Sequence, residues 1–346
     1  MKATPLVSVI VPVRNDAAHL RDCLSGLRAS TLEDYELIVV DDASTDDSAR
    51  VAEETGARLQ RLPARCGPAG ARNHGALQAR GRYLFFVDAD VRVRPETLAR
   101  AIAVFENDPG VAALFGSYDT RPAAPGFLSQ YKNLFHHFVH QQGRDEASTF
   151  WSGCGAIRRD VFLGSGGFAA RYRRPSIEDI ELGVRLRRAG RRIVLRKDLQ
   201  VTHLKRWTLW SLLKSDLWAR AVPWTRLLLE QRQVPNDLNL QAGQRLSGLL
   251  AYALLATAAL GLWRWPWLSW VALASLSAIL ALNWRLYAFF FHERGAAFLS
   301  LALPMHVLYF FYSGIGLGLG LTLHLAERGL ARFRRAAAPA AVSPQP

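Results

Sequence analysis

The stretch YLFFVDADVRV, residues 83–93, places two carboxylates at the end of an apolar run. Asp88 and Asp90 stand there with a single residue between them. A carboxylate at the end of a buried strand is costly unless it is paired or bound to a cation. Hard oxygen ligands suit Mg²⁺ or Mn²⁺. The pattern therefore predicts either a divalent metal site at these residues or an ordinary polar strand end.

Two other strand-like runs also end in polar residues, in PVRND (residues 12–16) and VDDAST (residues 40–45). Strand-like and helical runs alternate through the first 120 residues, which predicts an α/β fold with a doubly wound, mostly parallel sheet. Ligands of such sheets bind beyond the carboxyl ends of the strands. We therefore expect the three polar strand ends to line one crevice.

The sequence disfavours several common classes of α/β protein. No glycine follows the first strand, and the Walker phosphate loop is absent, so dinucleotide-binding and P-loop enzymes are disfavoured. The three cysteines, Cys23, Cys66 and Cys154, are too few and too scattered for a disulfide framework or a zinc site. We expect them to be reduced structural thiols.

Seven segments, in chain order, resemble the family 2 glycosyltransferases, which have the GT-A fold and use nucleotide-sugar donors. The segments are SVIVPVRND, IVVDDASTDDS, GPAGARNHGA, FFVDADV, WSGCGAIRRDVFLGSGGF, IEDIELGVRLRRAG and HLKRW, and they span residues 7–207. The resemblance implies an inverting glycosyltransferase, with UDP as the first choice of donor nucleotide.

The resemblance also implies roles on the donor side of the site. Asp88 and Asp90 would hold Mg²⁺ or Mn²⁺ against the donor diphosphate, with His203 either a further metal ligand or a structural histidine. Asp42 would contact the base, while Asp41 would either share that role or orient its loop. The donor-binding residues implied in this way are Pro12, Arg14, Asp41, Asp42, Gly70, Arg72, Asn73 and Asp88. For Arg72 the alternative is a solvated helix residue.

On the acceptor side, the resemblance implies that Asp179, beside Glu178, is the general base that deprotonates the acceptor. The alternative for this pair is a carboxylate that simply stabilises a helix N-terminus. Arg206 would bind the diphosphate, and Trp207 would stack on the acceptor. His203 replaces the glutamine of the Gln-x-x-Arg-Trp motif of cellulose and hyaluronan synthases, which disfavours processive polymerisation.

One further pattern resembles a metal site. His136 and His140 have the i, i+4 spacing of a helical zinc pair, but no third ligand is evident, which favours a helix face near the active site.

Charge and hydropathy indicate a membrane protein. The net charge is +14, and residues 171–210 contain 12 Lys and Arg against 4 Asp and Glu, just ahead of a nearly continuous apolar region at 246–325. Such a basic surface suits anionic lipid or a phosphorylated substrate. We expect no nucleic-acid partner, because the sequence contains no nucleic-acid-binding motif.

Candidate spans are residues 246–263, 267–282 and 296–323. The Trp-rich segment 206–229 has the composition of helices that lie in the headgroup plane. The N-terminus has no signal-peptide pattern, so we expect a multi-pass protein of the inner or plasma membrane with a cytoplasmic catalytic domain. The number of crossings and the orientation of the tail stay open. The predicted divisions are a catalytic domain (1–205), an interfacial segment (206–242), a transmembrane region (243–326) and a basic tail (327–346).

Together these features predict transfer of a sugar to a membrane lipid, either polyprenyl phosphate or a hydroxylated lipid or glycolipid. A processive polysaccharide synthase and a non-catalytic donor-binding scaffold are the alternatives.

Overall fold

The computed structural model describes residues 4–231 and 237–337. Its strands are β1 (Val7–Val13), β2 (Tyr35–Asp41), β3 (Arg58–Arg61), β4 (Tyr83–Val87), β5 (Val91–Arg92), β6 (Val111–Tyr118), β7 (Cys154–Arg158) and β8 (Arg192–His203). The helices of the same part are α1 (Ala17–Arg28), α2 (Ser48–Glu54), α3 (Gly67–Gln78), α4 (Thr97–Asn107), α5 (Phe127–Gln142), α6 (Arg159–Gly164) and α7 (Glu178–Arg188). After β8 come α8 (Leu209–Lys214), a π-helical turn (Ser215–Ala221), α9 (Val222–Gln231), a 3₁₀ turn (Leu238–Leu240), α10 (Ala242–Trp263), α11 (Leu268–Leu282) and α12 (Trp284–Ala337).

The eight strands form one sheet in the order β3-β2-β1-β4-β7-β6-β8-β5. The pairs β1–β2, β1–β4, β2–β3 and β6–β8 are parallel. β7 lies antiparallel between β4 and β6, and β5 is antiparallel to β8. The predicted mostly parallel sheet is confirmed, with the antiparallel β7 as an addition that the sequence pattern did not reveal.

Helices cover both faces of the sheet, as the doubly wound pattern requires. Alternate side chains of a strand point to opposite faces, and in β1 Val9 joins the core under α1, α2 and α4, whereas Ile10 joins the core under α3, α6 and α7. Both side chains are fully buried. The two cores fix the sheet, and so fix the positions of the strand ends.

A third apolar core joins the α/β unit to the C-terminal helices. Tyr131 and Phe135 of α5 pack with Phe290, Met305 and other residues of α12. Along the same contact, the rings of Phe127 and Phe298 lie 5.2 Å apart. The predicted span 296–323 is therefore partly covered by protein along its first half.

Three apolar helices lie within the described residues 242–337, at the positions of the three predicted hydrophobic segments. In the described part of the chain, two helices are long and apolar enough to cross a membrane, in the ranges Ala242–Trp263 and Trp284–Arg328. The apolar helix α11 is shorter. α12 bends at Gly295, which has a φ of 80°. Trp263 and Trp267 are 81% and 63% exposed at the α10–α11 connection.

The predicted interfacial segment forms α8, the π turn and α9, which pack on α12. Trp210 and Trp218 are 75% and 56% exposed, whereas Leu227 is buried. Residues 232–236 of this predicted segment and 338–346 of the predicted tail lie outside the described residues.

Candidate active site

A cavity of about 450 Å³ lies at the carboxyl ends of the central strands. The three polar strand ends all contribute to its wall, so the expectation that they line one crevice is confirmed. The predicted site residues that line it are Pro12, Arg14, Asp42, Arg72, Asp88, Asp90, Glu178, Asp179, His203 and Trp207.

The two carboxylates of the Asp88–Asp90 motif face this cavity with different neighbours. The Asp90 Oδ2 atom lies 3.7 Å from His203 Nε2 and 3.9 Å from Lys205 Nζ. Burial alone would raise the pKa of Asp90, but His203 and Lys205 outweigh it and hold this pKa well below its usual range. Asp90 is therefore ionised at neutral pH.

This donor set fits a divalent cation that arrives with its substrate. Among residues 4–231 and 237–337, no three His, Cys, Asp or Glu side chains come close enough to enclose a metal ion. Mg²⁺ is commonly held by one or two carboxylates together with substrate phosphates. Asp88 and Asp90 supply that pair, and the phosphates would complete the shell.

Arg72 ties the metal-binding end of the site to the predicted general base. It is 4% exposed, and its guanidinium donates to Asp88 Oδ1 at 2.5 Å and to Glu178 Oε1 at 2.9 Å. A buried charge of this kind is stable only when it is paired on both sides. The position of Arg72 contradicts its alternative reading as a solvated helix residue.

Asp179 lies in the first turn of α7 with its carboxylate in the cavity wall. The Asp179 Oδ2 atom accepts from the backbone N of Ser152 at 3.1 Å and from Ser152 Oγ at 3.3 Å. Burial raises the pKa of Asp179, and the Ser152 backbone and Arg72 oppose that effect in part. A carboxylate with a raised pKa and a fixed orientation can take a proton from a hydroxyl near neutral pH.

On the donor side, the two aspartates that end β2 have different partners. Asp42 accepts from the backbone N of Cys66 at 2.7 Å and of Gly67 at 2.9 Å, so it holds the start of α3. Gly67 has a φ of 84° and its Cα lies against the backbone of Arg173, so a larger residue would not fit. Asp41 accepts from the backbone N of Ser44 at 2.9 Å, the loop-orienting alternative considered for it.

Four predicted site residues do not line the cavity. Arg206 is exposed, and the neighbouring Lys205 faces Asp90 in its place. Asn73 binds both backbone groups of Phe168, and Gly70 lies against the side chain of Cys66. Asp41, which binds its own loop, is the fourth. The donor roles of these residues remain predictions that the geometry of the cavity does not favour.

The wall that faces the C-terminal helices contains residues that sequence reasoning missed. Lys132 of α5 and Arg220 of the π turn both line the cavity. His136 and His140, which the sequence placed on a helix face near the active site, lie on α5 and line the cavity as predicted, with their rings 5.5 Å and 5.3 Å from that of Trp151. The one available signal was the spacing of Asp216 and Arg220, two charges four residues apart in an otherwise apolar segment.

Part of this chain is similar in sequence to known proteins. The model of glycosyl transferase family 2 matches residues 8–164, which include the strand ends, Asp88, Asp90 and β7. This match extends over slightly less than half of the chain, and that part is similar to glycosyl transferase family 2. The chain is 41% identical over 90 residues to the uncharacterized glycosyltransferase EpsJ of Bacillus subtilis (strain 168), a match that covers 25% of this chain and 26% of that relative. The matched stretch thus spans about a quarter of that relative's length.

Solved structures share the fold of this chain over most of its length. A mannosyltransferase from Pyrobaculum calidifontis, in complex with GDP-Man and Mn²⁺, aligns with a TM-score of 0.56 at 19% identity over 91% of this chain and 88% of that one. Residues 1–349 of TarS from S. aureus, in complex with UDP-GlcNAc, align with a TM-score of 0.51 at 20% identity over 93% of this chain and 91% of that one. The α/β unit is a GT-A fold.

Proposed function

We propose that this protein is an inverting, metal-dependent glycosyltransferase that moves a sugar from a nucleotide-sugar donor to a membrane lipid. The observation that carries the proposal is that one cavity contains the paired carboxylates Asp88 and Asp90 and, on another part of its wall, the half-buried carboxylate Asp179. The first two suit a metal–diphosphate, and the third suits proton removal from an acceptor.

In the mechanism, a divalent cation would neutralise the charge that develops on the departing nucleoside diphosphate. Asp88 and Asp90 would hold that cation, and Arg72 keeps Asp88 in place. Asp179 would accept the proton of the acceptor hydroxyl while Ser152 fixes its orientation. Attack from the side opposite the leaving group inverts the anomeric centre. Of the solved structures with a similar fold, one is in complex with GDP-Man and Mn²⁺ and another with UDP-GlcNAc. These complexes support a nucleotide-sugar donor and a divalent metal.

The membrane part of the proposal is supported by the C-terminal helices. The two long apolar helices and the exposed Trp residues suit a multi-pass protein, since Trp is enriched at the membrane interface. The basic segment 171–210 suits the anionic inner face, with the catalytic domain in the cytoplasm. A cavity walled by α5 and the π turn, both packed on α12, would then open close to lipid.

Transfer of radiolabel from UDP- and GDP-sugars into extracted lipid tests this function. We expect label in the organic phase with at least one donor when the purified full chain and lipid are both present, and none after boiling the enzyme. Label that appears solely in water-soluble glycan or in protein would contradict the lipid acceptor. Long polymeric product on a gel would favour the processive synthase.

We expect Asp90→Asn to remove the metal dependence of donor binding. In the wild type, EDTA should weaken UDP binding by at least about tenfold, which is about 1.4 kcal/mol, because Asp88 and Asp90 would hold a cation that neutralises the diphosphate charge. In the variant, EDTA should have little further effect. Calorimetry with Mn²⁺ and UDP measures both.

The matched control is Asp198→Asn, an exposed aspartate that pairs with Arg100 and Arg196 away from the cavity. It should bind UDP as the wild type does. Equal affinity of the wild type with and without EDTA would contradict the metal site.

A further inference from the structure

Arg220 is a cation in the wall of the active-site cavity whose guanidinium is not held by a hydrogen-bonded carboxylate among the described residues. It lies in the π turn and is partly buried, and its side chain lines the cavity. Within the described residues it forms no ion pair and no hydrogen bond through its side chain. A guanidinium in a cavity without a carboxylate partner is suited to an anionic ligand, because it presents donors in a planar fork.

The structure explains why Arg220 is left unpaired. Asp216 stands four residues earlier, the spacing at which Asp and Arg pair on a regular helix. Here Asp216 instead accepts from Lys132 Nζ at 2.5 Å and 2.7 Å and from Tyr312 Oη at 2.8 Å. The backbone between Asp216 and Arg220 is π-helical, a geometry that occurs frequently at functional sites. Lys132 and Tyr312 thus take the hydrogen bonds of this carboxylate, and Asp216 interacts with Arg220 only through space.

Arg220 lies on the side of the cavity formed by β6, α5 and the C-terminal helices. The pKa of His140 is lowered to about 3, mainly by burial and next by the Arg220 cation. The imidazole of His140 and the guanidinium of Arg220 are therefore near each other. The donor side is different: Arg14 follows β1 and Arg65 follows β3, on the part of the sheet edge where Asp42 lies. The cavity therefore has Arg14 and Arg65 on its donor side and Arg220 on the side that faces the C-terminal helices.

The π turn also lies directly on the apolar helices. Ala221 is packed so closely on Gly316 of α12 that no side chain fits at Gly316. Trp218, two residues before Arg220, is 56% exposed on the outside of the same turn. A ligand that reaches Arg220 from this side would have its apolar part along the C-terminal helices and its charged group in the cavity.

We propose that Arg220 binds a phosphate group carried by the amphiphilic acceptor, and so selects phosphate-bearing lipids over neutral ones. This inference rests on the proposed function in that it takes the acceptor to be a lipid. Arg220 would hold the acceptor by charge-assisted hydrogen bonds, and it would take no part in proton transfer, which is assigned to Asp179.

The test compares farnesyl phosphate with farnesol as probes for the purified full chain in detergent. Binding is followed by tryptophan fluorescence, since Trp207 and Trp224 line the cavity. We expect the wild type to prefer farnesyl phosphate by about 10- to 100-fold, the range for hydrogen bonds to a charged group. Arg220→Gln should bind the two probes equally, and Arg220→Lys should retain a reduced preference because lysine lacks the planar fork.

The matched control is Arg226→Gln, in α9 of the same segment, where Arg226 pairs with Glu327 outside the cavity. It should keep the wild-type preference. In Arg220→Gln the affinity for UDP with Mn²⁺ should be unchanged. Folding should persist in this variant, because no partner of Arg220 is left unpaired, and thermal unfolding checks this.

A preference for farnesyl phosphate that persists in Arg220→Gln would overturn the proposal. Loss of UDP affinity in that variant would also overturn it, since Arg220 would then serve the donor. The measurement needs no turnover. A failure of sugar transfer to lipid would therefore count against the proposed function, whereas the absence of a phosphate preference counts against Arg220 alone.

Discussion

Replacement of Asp179 by asparagine is expected to lower kcat by about 10²- to 10⁴-fold, the contribution of a general base to a reaction of this kind. Asparagine keeps the shape of the side chain and can still accept from Ser152, so the position of α7 should not change. The affinity for UDP with Mn²⁺ should stay near that of the wild type, because Asp179 does not hold the metal. Steady-state transfer assays and UDP calorimetry measure the two effects separately.

The pH profile distinguishes a base from a residue that only shapes the site. The base acts when it is deprotonated, and burial raises the pKa of Asp179 above its usual value. Wild-type activity should therefore fall as the pH drops through this raised pKa, and the fall should begin at a higher pH than for an exposed carboxylate. In Asp179→Asn that limb should disappear from the residual activity.

The control for this variant is Asp160→Asn, an exposed acidic residue in the first turn of α6 that is not among the cavity residues. It should retain wild-type kcat and the same acid limb. Full activity in Asp179→Asn would exclude Asp179 as the base. If the acceptor reacts through a phosphate oxygen, which is ionised at neutral pH, no base is needed and the variant would retain most of its kcat.

Lys132→Met is expected to destabilise the fold by about 3–5 kcal/mol, because it removes the cation that hydrogen-bonds to the buried carboxylate of Asp216. Lys132 and Asp216 are 8% and 6% exposed. Burial alone would raise the pKa of Asp216, but Lys132 outweighs it and holds this pKa below its usual value. Thermal unfolding in detergent should show a large drop for this variant.

The double variant Lys132→Met with Asp216→Asn should recover most of that loss, because it removes the orphaned charge and keeps an acceptor for Tyr312 Oη. Lys197→Met is the matched control. Its partner Asp145 is 77% exposed, and such surface pairs contribute about 0–1 kcal/mol. Equal destabilisation in Lys132→Met and Lys197→Met would contradict the assigned role of the buried pair.

The sequence by itself determined the α/β class, the crevice at the strand ends and most of the residues in it. This was possible because a buried parallel strand shows a continuous apolar run, and because parallel strands bring their carboxyl ends to one edge. Asp88 and Asp90 were placed in this way, whereas Asp179, in the first turn of α7, was placed from the family resemblance. The sequence did not predict the antiparallel strand β7, because a short apolar run does not indicate whether a strand is parallel or antiparallel to its neighbours.

The tertiary structure alone decided which basic residue of HLKRW faces Asp90. Neighbouring residues in an extended segment point in opposite directions, so Lys205 lies near Asp90 while Arg206 is exposed. It also decided the partner of Asp216, which is Lys132, 84 residues earlier in the chain. Hydropathy does not distinguish a helix surface covered by lipid from one covered by protein. The packing of α12 on α5, and with it the wall that presents Arg220, therefore follows from contacts between residues far apart in sequence and from no local pattern.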